Sequence, residues 1–227
     1  MNLSINNEDQ QLKNMCKLGE KAVFEQLKAG RAVIVPTDTV YGLAVSVEHA
    51  LSDAEIFRIK KRPKNKPVAW LIPDRQVFED YSSSLNEDVI ALAQCFWPGA
   101  LTIIVQANKR CKPCFVSCNN TIGFRIPNHE ELRQLMRLLD SPLATSSANV
   151  SGALPVGNFS KLDKNLLSQA SAALFDKTEE QKEPLASTVI DCSGEVWIIV
   201  REGSITQDDI VARLAQCKKR FGVASSF

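Results

Sequence analysis

Histidine is nearly missing from this chain: His49 and His129 are the two among 227 residues. Neither falls where a Ser-His-Asp or Cys-His nucleophile set can be read, which argues against triad-type chemistry. Long apolar runs are missing too; no stretch could span a bilayer, and the amino-terminal MNLSINNEDQQLKNM is polar and acidic, unlike a secretory leader. No one sign of charge dominates. The net charge is +1, so no global field draws the chain to nucleic acid or membrane, and any anion site must be local. Neither GxGxxG nor GxxxxGK[ST] occurs, so neither the dinucleotide fold nor the P-loop can account for nucleotide use.

What is present reads as an ordinary globular chain, 44% apolar and 23% charged, long enough to bury a core. The expected compartment is the cytoplasm, where the seven cysteines would be free thiols. Cys111, Cys114 and Cys118 open with zinc-ligand spacing. A structural site needs a fourth ligand, however, and His129 is the nearest candidate. Loop thiols are the expectation, with no metal held by protein side chains.

Periodicity predicts a helix over 8–29 stopped by Gly30, a strand over 32–36, and a helix over 51–60 capped by Ser52 or Asp53. It predicts a strand over 68–72, a helix from Asn86 through Cys95, and strands over 101–107 and 121–126. A helix from Asn128 to Leu139, a strand over 142–147 and a helix over 160–173 follow. The chain then reads as a hairpin over 187–203, a helix over 206–217 and a frayed tail over 218–227. Interleaved strands and helices with a hairpin imply one α/β domain over 8–217, a twisted mixed open sheet with flanking helices. They argue against a TIM barrel.

Several segments carry chemistry. Pro36-Thr37-Asp38-Thr39-Val40-Tyr41-Gly42-Leu43 puts hydroxyls and a carboxylate at a strand end, where ligands of open α/β sheets bind; on local grounds alone a self-capped polar turn is the better reading. Arg58 to Lys66 holds six basic residues in nine, more than a helix dipole needs, and a phosphate or RNA backbone would offset the crowding; a solvated basic face is the alternative. In Thr121-Ile122-Gly123-Phe124-Arg125, alternation puts Thr121, Gly123 and Arg125 on one face, suited to a carboxylate or to a surface ion pair. Thr145-Ser146-Ser147-Ala148-Asn149 is a hydroxyl-rich turn that could donate to phosphate or ribose, or merely cap itself. Ser187-Thr188 and Arg201-Glu202-Gly203 flank the hairpin.

In this order, PTDTVYGL, Lys60-x-Arg62, FWPGALT at 96–102, FRIPNH at 124–129, TSSANVSG at 145–152, STVID at 187–191 and REG at 201–203 resemble the YrdC/TsaC family of threonylcarbamoyl-AMP synthases. The resemblance runs from about residue 20 to 203. It implies a positively charged groove in which L-threonine, bicarbonate and ATP, with Mg²⁺, give threonylcarbamoyl-AMP and pyrophosphate. The product would then pass to a tRNA threonylcarbamoyl transferase.

Carried over, Lys60 and Arg62 would be the catalytic phosphate-holding pair. Thr121, Ser147, Asn149 and Arg201 would join them on the nucleotide, and Thr39, Arg125, Thr145 and Ser187 would hold threonine. Many relatives have Glu where Asp38 stands, and some have Asn or His near Lys66 and Leu71. The expected form is the short, single-domain one. Rival readings are a non-catalytic RNA-binding module using the basic cluster, and a paralogue acting on another carbamoyl or acyl substrate.

Overall fold

The computed structural model describes residues 19–63, 67–83, 85–176 and 185–221, the last four of these by backbone alone. Its elements are α1 (Gly19–Lys28), β1 (Val33–Val35), β2 (Gly42–Ser46), α2 (Ala54–Lys60), β3 (Ala69–Leu71), α3 (Arg75–Tyr81), α4 (Glu87–Phe96) and β4 (Leu101–Gln106). There follow β5 (Thr121–Arg125), α5 (Glu130–Leu139), β6 (Leu143–Ser147), α6 (Lys164–Gln169), β7 (Ala172–Ala173), β8 (Thr188–Asp191), β9 (Ile198–Arg201) and α7 (Gln207–Phe221).

All these strands join one sheet in the order β7-β1-β2-β6-β3-β5-β4-β8-β9. The pairs β1–β7, β3–β5 and β4–β8 are parallel and the rest antiparallel, the mixed sheet that the sequence implied. The 187–203 hairpin forms as expected, with Asp191 opposite Ile198.

Alternation along the strands builds two unequal faces. On the back, Ile34, Leu43, Trp70, Ile103, Phe124 and Ile190 pack against Ile56 of α2, Phe78 of α3, Leu92 and Phe96 of α4, and Ile210 and Leu214 of α7. Trp70 stacks edge-on with Tyr81, Phe115 and Phe124, and Phe78 with Trp97 and Phe124. On the front, α1 and α5 cover Val33, Val35, Ala44, Leu71 and Leu143 through Val23, Leu27, Leu132, Leu135 and Met136. That cover lies over the β1, β2 and β6 end of the sheet.

The helix starts follow capping chemistry. Asn86 Oδ1 accepts from the Val89 N–H at 2.9 Å, as expected, and Asp74 does the same for α3. At α5 the cap is His129 rather than Asn128: its Nδ1 accepts from the Leu132 N–H at 3.3 Å.

Other boundaries differ. Residues 8–18 of the first expected helix lie outside the described residues, as do 222–227 of the tail, while α7 runs on through Phe221. The expected helix over 160–173 is cut to Lys164–Gln169, because Ala172 and Ala173 pair in parallel with Val33 and Ile34. The strand β2 and the helix α3 were not legible. GLAVS is buried on both faces and shows no alternation, and α3 spans seven residues.

The reading of all seven cysteines as free thiols is corrected. Packing of α7 on α4 brings Cys95 and Cys217 to a Cα separation of 6.5 Å, and they form a disulfide. Cys111, Cys114, Cys118 and Cys192 are free.

Candidate functional site

Where α1 and α5 leave the front face uncovered, a cavity of about 300 Å³ opens over β6, β3, β5, β4 and β8. Alternation supplies its floor: Thr121, Gly123 and Arg125 of β5, Thr102 and Ile104 of β4, and Thr145 and Ser147 of β6 point here, while Ile122 and Phe124 go to the back core. The PTDTVYG loop, Arg62, Ser187 and Arg201 complete the walls. Eight of the ten expected site residues therefore converge: Thr39, Arg62, Thr121, Arg125, Thr145, Ser147, Ser187 and Arg201.

Arg125 is 5% exposed and held on three sides. Its Nη2 donates to Asp38 Oδ1 at 2.6 Å, its Nη1 to Thr39 Oγ1 at 2.8 Å, and its Nε to the Gly99 carbonyl at 2.9 Å. Burial pulls this guanidinium below its ordinary range, Asp38 pulls it back, and Arg201 adds a smaller downward push. Two of its five N–H groups are left for a ligand.

Arg201 is exposed; its Nε and Nη2 donate to the Ser187 carbonyl at 3.2 and 2.8 Å. Ser187 in turn shares a 2.9 Å hydroxyl contact with Thr102. Arg62 donates to the Pro67 carbonyl at 3.1 Å, and burial, then Arg201, lowers its pKa. Three guanidinium groups thus line one cavity.

Lys60 and Asn149 are not brought to the cavity wall. Lys60 is 1% exposed and its ammonium donates to the Ser147 carbonyl, to the Asn149 carbonyl at 2.7 Å and to Asn149 Oδ1 at 3.3 Å. Burial, with a smaller push from Arg62, pulls its pKa down to about 8. Asn149 Nδ2 donates to the Val150 and Ala153 carbonyls at 3.1 and 2.6 Å. Lys64 and Lys66 of the basic run lie outside the described residues.

Sequence reasoning missed the supports of the site. Asp38 was read as a strand-end carboxylate and for its difference from relatives, but not as what it is, the ion partner of Arg125. Thr102 sits in the quoted FWPGALT run without an assigned role. Thr188, fully buried, accepts from the Gly203 and Ile205 N–H groups at 2.9 and 3.1 Å and donates to the Ile205 carbonyl at 2.5 Å. That staple lays Gly203 so close to β8 that a Cβ would collide with the Ala186 carbonyl. Gly42 is equally constrained: a Cβ would lie 2.6 Å from Thr145 Cγ2. The signal was available, because both glycines sit inside quoted motifs.

The candidate zinc thiols do not converge: Cys111 donates to the Tyr81 carbonyl, Cys114 to that of Leu51 and Cys118 to Asn119. No group of three metal-ligating side chains forms among the described residues. No helix among them is long and apolar enough to cross a membrane.

Known proteins are similar to this chain in sequence and fold. A threonylcarbamoyl-AMP synthase of Bacillus subtilis is 31% identical over 191 residues, which are 82% of this chain and 54% of that protein. One of Vibrio vulnificus is 27% identical over 164 residues, 71% of this chain and 88% of that protein. The crystal structure of P. abyssi Sua5 complexed with L-threonine superposes with a TM-score of 0.78 at 26% identity, covering 85% of this chain and 56% of that one. E. coli YciO shares the fold, with a TM-score of 0.72 at 22% identity over 82% of this chain and 89% of that one. The chain thus spans about half the length of the B. subtilis and P. abyssi proteins and most of the V. vulnificus and E. coli ones. Residues 25–203 match the Sua5/YciO/YrdC family, described as Telomere recombination. By that match, which covers most of the chain and the segments that line the cavity, the chain belongs to the Sua5/YciO/YrdC family.

Proposed function

We propose that this chain is a threonylcarbamoyl-AMP synthase, acting in the cytoplasm and supplying a tRNA-modifying transferase. The observation that carries the reading is the convergence of Arg62, Arg125 and Arg201 with the hydroxyls of Thr39, Thr121, Thr145, Ser147 and Ser187 in one cavity. Arg125 already has Asp38 as its counter-charge, while Arg62 and Arg201 push on each other, and the substrates are a carboxylate, bicarbonate and a triphosphate.

Threonine's amine and bicarbonate condense, losing water, to a carbamate that is already anionic. Its oxygen attacks the α-phosphorus, the bond to the β-phosphate oxygen breaks, and pyrophosphate leaves. No general base is needed, which suits a cavity without histidine in its lining. The obstacle is an anion approaching a polyanion. Arg62 and Arg201 would screen the phosphates and stabilise the leaving group, with Thr121 and Ser147 fixing the nucleotide. Arg125 would orient the threonine carboxylate through its two remaining N–H groups, beside Thr39, Thr145 and Ser187. No carboxylate is among the described residues that line the cavity, and nearby Asp38 is committed to Arg125, so Mg²⁺ fits best as an ion bound chiefly by the triphosphate, where it would neutralise phosphate charge.

The test is pyrophosphate release by the full chain, with ATP, threonine or bicarbonate each left out. Release that needs all three is expected. Adenylation that persists without threonine would point to another carbamoyl or acyl substrate. Salt-sensitive RNA affinity with no ATP turnover would replace the enzyme by a binding module.

A further inference from the structure

A lysine buried behind a cavity that it does not line needs an explanation. Its three N–H donors meet three neutral oxygens, all from the Ser147-Ala148-Asn149 turn: two carbonyls and the Asn149 amide oxygen. The same turn is tied to its surroundings by backbone. The Ala148 N–H donates to the Tyr41 carbonyl at 2.7 Å, and the Ser151 N–H to the carbonyl of Lys60 itself at 3.2 Å. Asn149 Nδ2 closes the loop onto Val150 and Ala153.

We propose that Lys60 is a positioning residue for the nucleotide site, drawing the carbonyls of this turn back into the wall so that the turn presents the Ser147 hydroxyl, not carbonyl oxygens, to the phosphates. The inference rests on the synthase reading, since ATP is the anion concerned. Carbonyl oxygens aimed into the cavity would repel a triphosphate, and the clamp turns the negative ends of two peptide dipoles away from it. The buried ammonium is satisfied in return, which its desolvation requires. A compact point donor suits three converging acceptors better than a planar guanidinium would. Its charge still lies directly behind Ser147, so it attracts phosphate without touching it.

Lys60→Met keeps the side chain's reach and donates nothing. In the ligand-free full chain, hydrogen exchange of amides 148–153 should quicken about tenfold while β4 and β5 stay unchanged, and KM for ATP should rise about tenfold with KM for threonine unmoved. Should that variant not fold, Lys60→Gln, which keeps two donors, should show the same pattern at about threefold. A raised ATP KM with wild-type exchange at 148–153 would mean that Lys60 contacts phosphate directly, which overturns the proposal. Faster exchange across the whole sheet, or a fall in kcat with both KM values unchanged, would make Lys60 merely structural and overturn it equally. If the wild-type chain releases no pyrophosphate with threonine, the synthase reading fails by itself; the exchange measurement and titration with ATP alone still decide the role of Lys60.

Discussion

Arg125 and Arg201 line the same cavity but are held in opposite ways. Arg125 is buried and pinned by a carboxylate, a hydroxyl and a carbonyl. Arg201 is exposed, and Ser187 steadies it through neutral oxygens. The difference follows from solvation. A guanidinium taken out of water needs a counter-charge, and once paired it has one orientation and little net charge to offer. An exposed one keeps its full charge and some freedom. The first suits a small carboxylate that must be aligned, the second a polyphosphate that must be neutralised.

The sharpest way to break this comparison is Arg125→Ala. It should lower threonine-dependent pyrophosphate release by roughly a hundredfold or more, and destabilise the fold by about 3 kcal/mol in urea unfolding, because the half-buried Asp38 loses its counter-charge and the buried guanidinium leaves a void. Adding Asp38→Ala to that variant should restore part of the stability and none of the activity. If the single variant is as stable as wild type, Asp38 and Arg125 are not the compensated pair described. Arg201→Ala should act differently: KM for ATP rises about tenfold, while the urea midpoint moves by less than about 0.5 kcal/mol of stability. Equal losses of stability in the two variants would erase the distinction.

The arginines themselves were legible in the sequence, and so was most of the sheet. The run 121–125 alternates cleanly, so Arg125 could be assigned to the face of Thr121 and Gly123 before any fold was known. Asp38 as its partner could not. The two residues are 87 apart in sequence, and no local pattern encodes a pair that the β3–β5–β6 arrangement brings together. The Lys-x-Arg run shows the same limit in reverse. Proximity in sequence suggested that Lys60 and Arg62 act alike. The helix α2 ends at Lys60 and Lys61 adopts a left-handed turn, which sends Lys60 inward and Arg62 to the cavity.

The smallest expected effect is in pH. Lys60, with Arg62 as the charged group beside it and the Ser147 and Asn149 oxygens facing it, is held down to about 8 from an ordinary 10.5. The unfolded chain binds that proton more tightly. By linkage, then, this group's contribution to global stability rises as pH climbs from 8 towards 10.5, and falls again on acidification through that window. The local consequence is the opposite, since a neutral amine cannot keep all three donors in place. KM for ATP should therefore grow about threefold above pH 8, without loss of thermal stability. An ATP KM flat from pH 7 to about 10 would separate the turn from the ionisation of Lys60.

By itself, the sequence determined the alternation that divides β5 between core and cavity, the helix cap at Asn86, and the motif glycines that allow close approach. These are local matters of side-chain period, rotamer and backbone freedom, and a few neighbouring residues suffice to express them. Tertiary structure alone decided that α1 and α5 leave part of the front face open, that Asp38 answers Arg125, that Cys95 meets Cys217, and that Lys60 faces the wall's interior. Each of these joins distant stretches of chain. Their energies come from desolvation and packing, which have no value until the sheet has closed around them.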